Sequence, residues 1–367
     1  MKILAISHSY AASENQKNLD ALSEHADVCA VVPDRIPNTL LDGQIQSGKT
    51  KLKVFRRISL PRSQYLLLTL DMGMREARPD VIHIEYDPWS MIFWQMSVCR
   101  FLFAPQARVV CTVKKNTYRK LPLPLAAIKK TIGRFFVARV DHFIAVSQRV
   151  KAIYQSQFGI PDDRVDIVQH LGVDLAVFYP DEEDSQGEFL TIGYCGRFDE
   201  NKGVLSLIDA VRKINERREV PVQLKMLGSG ILRQSFIEQQ ETWLHVLDPV
   251  PHAEVAPFLQ SLDIFAMPSL ITPDHEEHDG HALMEALACG VACIGSDSGI
   301  IPELLSNRAG IVFPAGNTNE LIDQLTELID DESLRRTLGA NGAEQAAKVF
   351  SNDGIASQKL RIYANAA

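Results

Sequence analysis

Short apolar runs alternate with amphipathic stretches along the first half of the chain. Residues 3–7, 28–32, 81–84, 109–113 and 143–146 are runs of the length and composition that fill buried strands. Residues 16–25, 65–77, 90–101 and 125–137 carry their apolar positions at helical spacing. After Tyr179-Pro180 a polar segment, Asp181 to Glu188, interrupts the pattern, and the alternation resumes with strands at 190–194, 222–226, 245–247, 264–267 and 291–294. Helices are expected to start at Val204 and Ile231, and the tail 350–363 reads as helical. Such βαβ alternation predicts parallel sheets covered by helices on both faces, an α/β chain with two Rossmann-like domains. We place the first at 1–178, a linker at 179–188, the second at 189–349 and a terminal helix at 350–367. A length of 367 residues suits two domains of about 150 to 200 residues each.

Composition narrows the class. The chain is 46% hydrophobic and 23% charged, a globular balance. Six cysteines sit mostly in apolar segments without a CxxC pair, the usage of buried thiols in a reducing compartment. Residues 1–7 are too short for the apolar core of a signal peptide and no stretch approaches a membrane span, so the expected location is cytoplasmic, with the inner face of a membrane as a peripheral site. The net charge of -8 hides an asymmetry: residues 1–175 hold 24 Lys and Arg against 16 Asp and Glu, and the remainder 14 against 30. Between Asp87 and Asp141 there is no acidic residue, and cations are interleaved with apolar side chains over 100–139 and again over 49–62. These segments suit an anionic membrane surface or an anionic acceptor; the plainer reading is inward-packed apolar residues with a solvated basic face. An acidic whole without a recognition module speaks against nucleic acid.

The chemistry concentrates in the second half. Glu277-His278-Asp279-Gly280-His281-Ala282-Leu283-Met284-Glu285 opens a helix that runs through Ala286-Leu287-Ala288-Cys289 to a stop at Gly290. A helix N-terminus presents unpaired amides and partial positive charge, so Gly280, His281 and Ala282 are candidates to hold a phosphate or a sugar hydroxyl. Glu285, one turn further in, could accept hydrogen bonds from a diol. Some 80 residues earlier, Gly193 and Gly196 lead into Arg197 and Lys202-Gly203, a guanidinium fork and a point charge suited to a diphosphate. Leu227-Gly228-Ser229-Gly230 offers another glycine turn after a strand. In the first half, Asp80 to Ser90 places ionisable groups at a strand's carboxyl end, where ligands of such sheets bind; His83 is the acceptor-side candidate, against the alternative of a loop held by its own polar groups. The first strand ends Ser7-His8-Ser9-Tyr10 without a G-x-G-x-x-G, which disfavours a dinucleotide dehydrogenase. His275, His278 and His281 do not align on one helical face and lack an HExxH, so no metal is expected.

Two glutamates eight positions apart, followed by Ala286 to Gly290 and then Asp297, Gly299 and Pro302-Glu303, closely resemble the donor-site signature of GT-B glycosyltransferases of family 4. The glycine, Arg197, Lys202-Gly203 segment resembles the same family's diphosphate motif, and Ser147, His170, Gly172, Asp263 and Pro268-Ser269 fall in the family's order over residues 80–345. The resemblance implies two domains facing across a cleft, a terminal helix crossing back to the first, and retaining transfer without cofactor or metal. The donor would be a nucleoside diphosphate sugar, most commonly a UDP-sugar; the acceptor, a glycan, a lipid-linked or a small molecule, would bind the basic first domain. It further implies that Arg197 and Lys202 stabilise the departing diphosphate, that Glu277 contacts the sugar, with Asp279 as the alternative in a shifted register, that the backbone from Gly280 to Leu283 contacts sugar and phosphate, and that Glu285 binds the ribose. The chain departs from the family after the strand 109–113, where Lys114 stands in the region of a histidine. A nucleotide-sugar epimerase or hydrolase, or a non-catalytic binding subunit, are the rival readings.

Overall fold

The computed structural model describes residues 1–11, 13–35, 49–60, 64–115, 131, 133–181 and 189–366. The chain divides into two compact units, Met1–Gly172 with Asn352–Ala367, and Val173–Ser351. Val173 and Phe178 pack in the core of the second unit, so the change of unit falls at Gly172, ahead of the expected 178. Residues 182–188 of the expected linker lie outside the described residues.

The first unit is built on a sheet of seven parallel strands: β1 (Lys2–Ile6), β2 (Asp27–Pro33), β3 (Lys51–Phe55), β6 (Val81–Ile84), β7 (Arg108–Val113), β8 (His142–Ala145) and β9 (Val165–Ile167). Their order is β3-β2-β1-β6-β7-β8-β9, and β4 (Arg57–Ser59) pairs separately and antiparallel with β5 (Tyr65–Leu67). The period of two along a strand explains how both faces are filled. From β1, Leu4 and Ile6 enter one apolar cluster and Ile3 and Ala5 the other. The second face is closed by the last helix, Asn352–Ala366, through Ile355, Ala356, Ile362 and Tyr363, beside Leu19 and Leu22 of the helix Ser13–Ser23.

Two stretches differ from the reading of the sequence. Residues 65–77 form no continuous helix: Tyr65–Leu67 is a strand, and only Met74–Ala77 is helical. The Gln95 amide bonds Leu67 on both sides, at 3.0 and 2.7 Å. Thr69 Oγ1 accepts from the Met72 amide and Asp71 Oδ1 from that of Gly73, so local side-chain bonds compete with the helix. The basic segment 49–62 contains edge strand β3, whose Lys51 and Lys53 are the charges that keep an open edge from pairing further. Residues 61–62 of that segment, and 116–130 and 132 of the basic stretch 100–139, lie outside the described residues. No helix among the described residues is long and apolar enough to cross a membrane.

The second unit has six parallel strands: β10 (Thr191–Cys195), β11 (Gln223–Leu227), β12 (Leu244–Leu247), β13 (Ile264–Met267), β14 (Ala292–Ser296) and β15 (Gly310–Phe313). Their order is β12-β11-β10-β13-β14-β15. One face carries the helices Val204–Asn215 and Thr318–Asp330 over Ile192, Leu224, Ile264 and Ile294. The other carries Val255–Gln260 and His281–Ala288 over Phe265, Met267 and Cys293. The chain order changes direction at β10, and the carboxyl ends of the strands beside that switch are where a parallel sheet receives ligands.

Candidate functional site

The loops after β10 and β11 meet backbone to backbone. Gly196 (φ 150) and Gly228 (φ 146) are so close that a Cβ on Gly228 would stand 2.0 Å from the Gly196 carbonyl oxygen. Gly203 (φ 67) is pressed as tightly against Pro268, which carries the preceding turn, Glu200–Lys202, to the end of β13. There Lys202 Nζ donates to both carboxylate oxygens of Glu277, at 2.9 and 2.7 Å. Ser269 Oγ donates to Glu277 Oε2 at 2.6 Å, and the Glu277 backbone is pinned by Ser298 Oγ on its amide and by the Ile300 amide on its carbonyl. Burial opposes the charge on Glu277, but the ammonium and the hydroxyl outweigh it and hold the carboxyl below its ordinary value. Arg197 is turned outward: 70% exposed, it pairs with Asp199 at 2.9 Å.

The helix His281–Ala288 begins at Gly280 (φ 58), where a Cβ would meet Leu304 at 2.4 Å. The Gly280 carbonyl accepts from the Leu283 and Met284 amides. That corrects one expectation: Leu283 has its amide engaged and its side chain in the core, which leaves Gly280, His281 and Ala282 as the amide donors of the helix start. Glu285 is buried one turn inside. Its Oε1 accepts from His252 Nε2 at 2.6 Å and His281 Nδ1 at 3.3 Å. Burial raises the Glu285 pKa, and these two imidazoles lower it further than burial raises it, so the carboxyl is held below its ordinary value. His252 sits on the short turn His252–Glu254, packs at a tilt against Phe178 and lies nearly parallel to His281, 19° between planes. It was invisible in the sequence, 33 positions before Glu285 and in no periodic pattern. The trio His275, His278 and His281 is split: His275 packs edge-on to His278, while His281 joins His252.

Residues 27–177 match the family model described as Glycosyltransferase Family 4, and residues 178–345 match Glycosyl transferases group 1. The two matches run without a gap over most of the chain. The chain belongs to the family 4 glycosyltransferases of group 1. The MMP alpha-(1->4)-mannosyltransferase of Mycolicibacterium hassiacum is 28% identical over 239 residues, 63% of this chain and 56% of that protein, so the match spans little more than half of that relative. The phosphatidyl-myo-inositol mannosyltransferase of Mycobacterium leprae is 27% identical over 289 residues, 77% of this chain and 73% of that one. Among solved structures, Anabaena Alr3699/HepE in complex with UDP superposes with a TM-score of 0.74 at 17% identity, covering all of both chains. That likeness shows the fold, GT-B with two Rossmann-like units.

Within this family 4 chain, the motif residues Lys202, Glu277, Gly280 and Glu285 belong to the second unit, and His83 belongs to the first. His83 lies in the first unit, in the interior of β6, and is 1% exposed. Its Nε2 bonds Thr112 Oγ1 at 2.7 Å and its Nδ1 bonds Tyr363 Oη at 2.8 Å. Burial lowers its pKa to about 3. With both ring nitrogens engaged, His83 holds the last helix onto the sheet, and the acceptor role expected of it is withdrawn. Lys114 donates to buried Glu85 at 3.0 Å, and Tyr10 occupies the other Glu85 oxygen at 2.7 Å.

Proposed function

We propose that the chain is a retaining glycosyltransferase that moves a sugar from a nucleoside diphosphate donor, a UDP-sugar by preference, to a glycan, lipid-linked or small-molecule acceptor. The observation that carries this reading is Lys202 clasping both oxygens of Glu277 at the entrance to a helix whose second turn presents Glu285. In the reaction the bond from the anomeric carbon to the diphosphate oxygen breaks and its electron pair leaves with the diphosphate. Lys202 and Arg197 neutralise that charge, which is the larger part of the catalysis asked of the protein. Glu277 accepts from hydroxyls of the sugar, and Glu285 accepts from the ribose while His252 and His281 hold its other oxygen. The cations supply the electrostatics, so we propose that turnover needs no metal and no cofactor.

A UDP donor is supported by the solved relative that holds UDP, and a lipid-linked acceptor by the relative named for phosphatidyl-myo-inositol. The second relative also supports a role in glycolipid or cell-envelope polysaccharide synthesis. We propose that the first unit contacts an anionic lipid surface on the cytoplasmic side: Val98, Phe101, Leu102 and Phe135 are exposed around a cavity of about 490 Å³ bordered by Arg100 and Arg139. The test is sugar transfer from a UDP-sugar by the wild type and Arg197→Ala. A fall of roughly 100-fold in turnover is expected for the variant, and equal rates would overturn the assignment.

A further inference from the structure

We propose that His252, His281 and Glu285 form a zinc site at which the ion and a nucleotide exclude one another. The metal is a competitor here rather than a cofactor; its binding stands on the side-chain geometry, and the exclusion rests on Glu285 being the ribose ligand proposed above.

Two imidazoles and a carboxylate are the donor set that zinc takes in open sites with three protein ligands. The three side chains arrive from two separate elements, the turn His252–Glu254 and the helix His281–Ala288. Their donor atoms all lie within 4.8 Å of one another. Two of the three separations are already 2.6 and 3.3 Å, both to Glu285 Oε1. Tetrahedral zinc at its usual bond lengths holds donors about 3.3 Å apart, so adjustments of roughly 1 Å close the set. His252 can supply them, being 42% exposed on a three-residue turn. Glu285 is rigid by contrast, buried on the core-facing side of its helix, and its charge is the one an ion would neutralise. The site is not a tight one. A ligating histidine ordinarily donates its second nitrogen to an acceptor, and His281 Nε2 is buried without a partner among the described residues. A missing outer partner weakens such sites by roughly 10- to 100-fold, which points to micromolar rather than nanomolar affinity.

The geometry also sets the consequence. An ion seated between Glu285 and the two rings draws the carboxylate away from a diol and leaves a positive charge where a neutral ribose would sit. Zinc therefore lowers nucleotide affinity, and chelator restores it.

The experiment titrates zinc chloride into the full chain against a chromophoric chelator, for the wild type, His252→Ala, His281→Ala and, as a control, His275→Ala/His278→Ala. One ion per chain is expected in the wild type. Weakening of roughly tenfold or more is expected in each single variant, with the control within about twofold. Because His252 is exposed, its truncation leaves the core intact, and an unchanged melting temperature in that variant verifies the comparison. Absence of saturable binding at one ion per chain, or equal affinity in wild type and His252→Ala, overturns the site. UDP binding is then measured with and without zinc; a loss of roughly tenfold that disappears in His252→Ala supports the exclusion. If zinc binds through His252 and UDP affinity is unmoved, the metal site stands and the ribose role of Glu285 falls.

Discussion

Replacing Gly299 by alanine tests whether the backbone around Glu277 is the part of the second unit that catalysis depends on. Gly299 has φ +56, and a Cβ there would stand 1.9 Å from the Glu277 carbonyl oxygen. Two costs separate cleanly. The left-handed backbone disfavours any side chain by about 1 kcal/mol. Relieving the overlap needs an opening of about 1.5 Å, which forces the two backbones apart for a further 1–3 kcal/mol or so. Gly316 isolates the first cost, since its φ is +80 but its nearest neighbour is 4.0 Å away. Gly316→Ala should therefore lower the melting temperature of the second unit by about 2–4 °C and Gly299→Ala by roughly 5–12 °C. The displaced loop carries Glu277, and an ångström of misplacement at a reacting sugar costs about 100-fold in turnover. Differential scanning calorimetry and initial rates read the two effects. If Gly299→Ala melted with Gly316→Ala and turned over at the wild-type rate, the claim that this contact positions Glu277 would be wrong.

Lys202→Ala strips a 6% exposed carboxylate of its ammonium partner. Stability should fall by up to about 3 kcal/mol in urea unfolding and turnover by about 100-fold, whereas loss of stability alone would make the pair structural. Glu277 and Glu285 both titrate below their ordinary 4.5 in the folded chain, so their stabilisation is complete above 4.5 and is lost as pH falls through the depressed values. Urea midpoints between pH 6 and 3 should drop, with a shallower slope in Glu277→Gln; identical slopes would refute the pairing. His83 refuses until about pH 3 a proton that the unfolded chain accepts near 6.5, so the first unit loses stability as pH falls from 6.5, and His83→Gln should remove that component without altering UDP affinity. Sedimentation with anionic vesicles, absent with zwitterionic ones, should weaken roughly fivefold in Arg139→Gln, at about 1 kcal/mol per cation, and equal binding to both vesicle types would end the membrane proposal.

The strands were legible where burial on both faces makes a continuous apolar run, as in Val109 to Val113, of which all are buried. Edge strand β3 escaped because only part of it is buried, although Lys51, Leu52, Lys53 and Val54 alternate as a strand does. The run around Leu66 to Leu70 misled because short apolar stretches do not separate helix from strand, and the Gln95 bonds that decide it come from 28 positions away. The spacing of Glu277 and Glu285 survived folding because Glu277 sits on the loop just ahead of the short helix His281–Ala288 that carries Glu285. His83 was misread although its strand, 81–84, forms as expected. Its side chain is buried between Thr112 and Tyr363 instead of facing a ligand at the strand's carboxyl end.

Buried carboxylates meet cations in both units, and the way their oxygens are used separates scaffold from site. In the first unit Glu85 gives one oxygen to Tyr10 and the other to Lys114, while Lys359, fully buried, approaches within 4.0 Å from the last helix. Every strong acceptor position is spent on the protein itself, and burial lowers the Lys359 pKa to about 8. Such a cluster fixes the helix Asn352–Ala366 to its sheet and has little left for a ligand. In the second unit Glu285 takes both imidazoles on Oε1, and no hydrogen bond among the described residues ends on Oε2. Glu277 holds an ammonium that a diphosphate can compete for, on a side chain still 16% exposed. Satisfied valence makes the first arrangement rigid. Valence held open by a rigid surround makes the second able to bind, which is the physical difference between a core that contains charges and a site built from them.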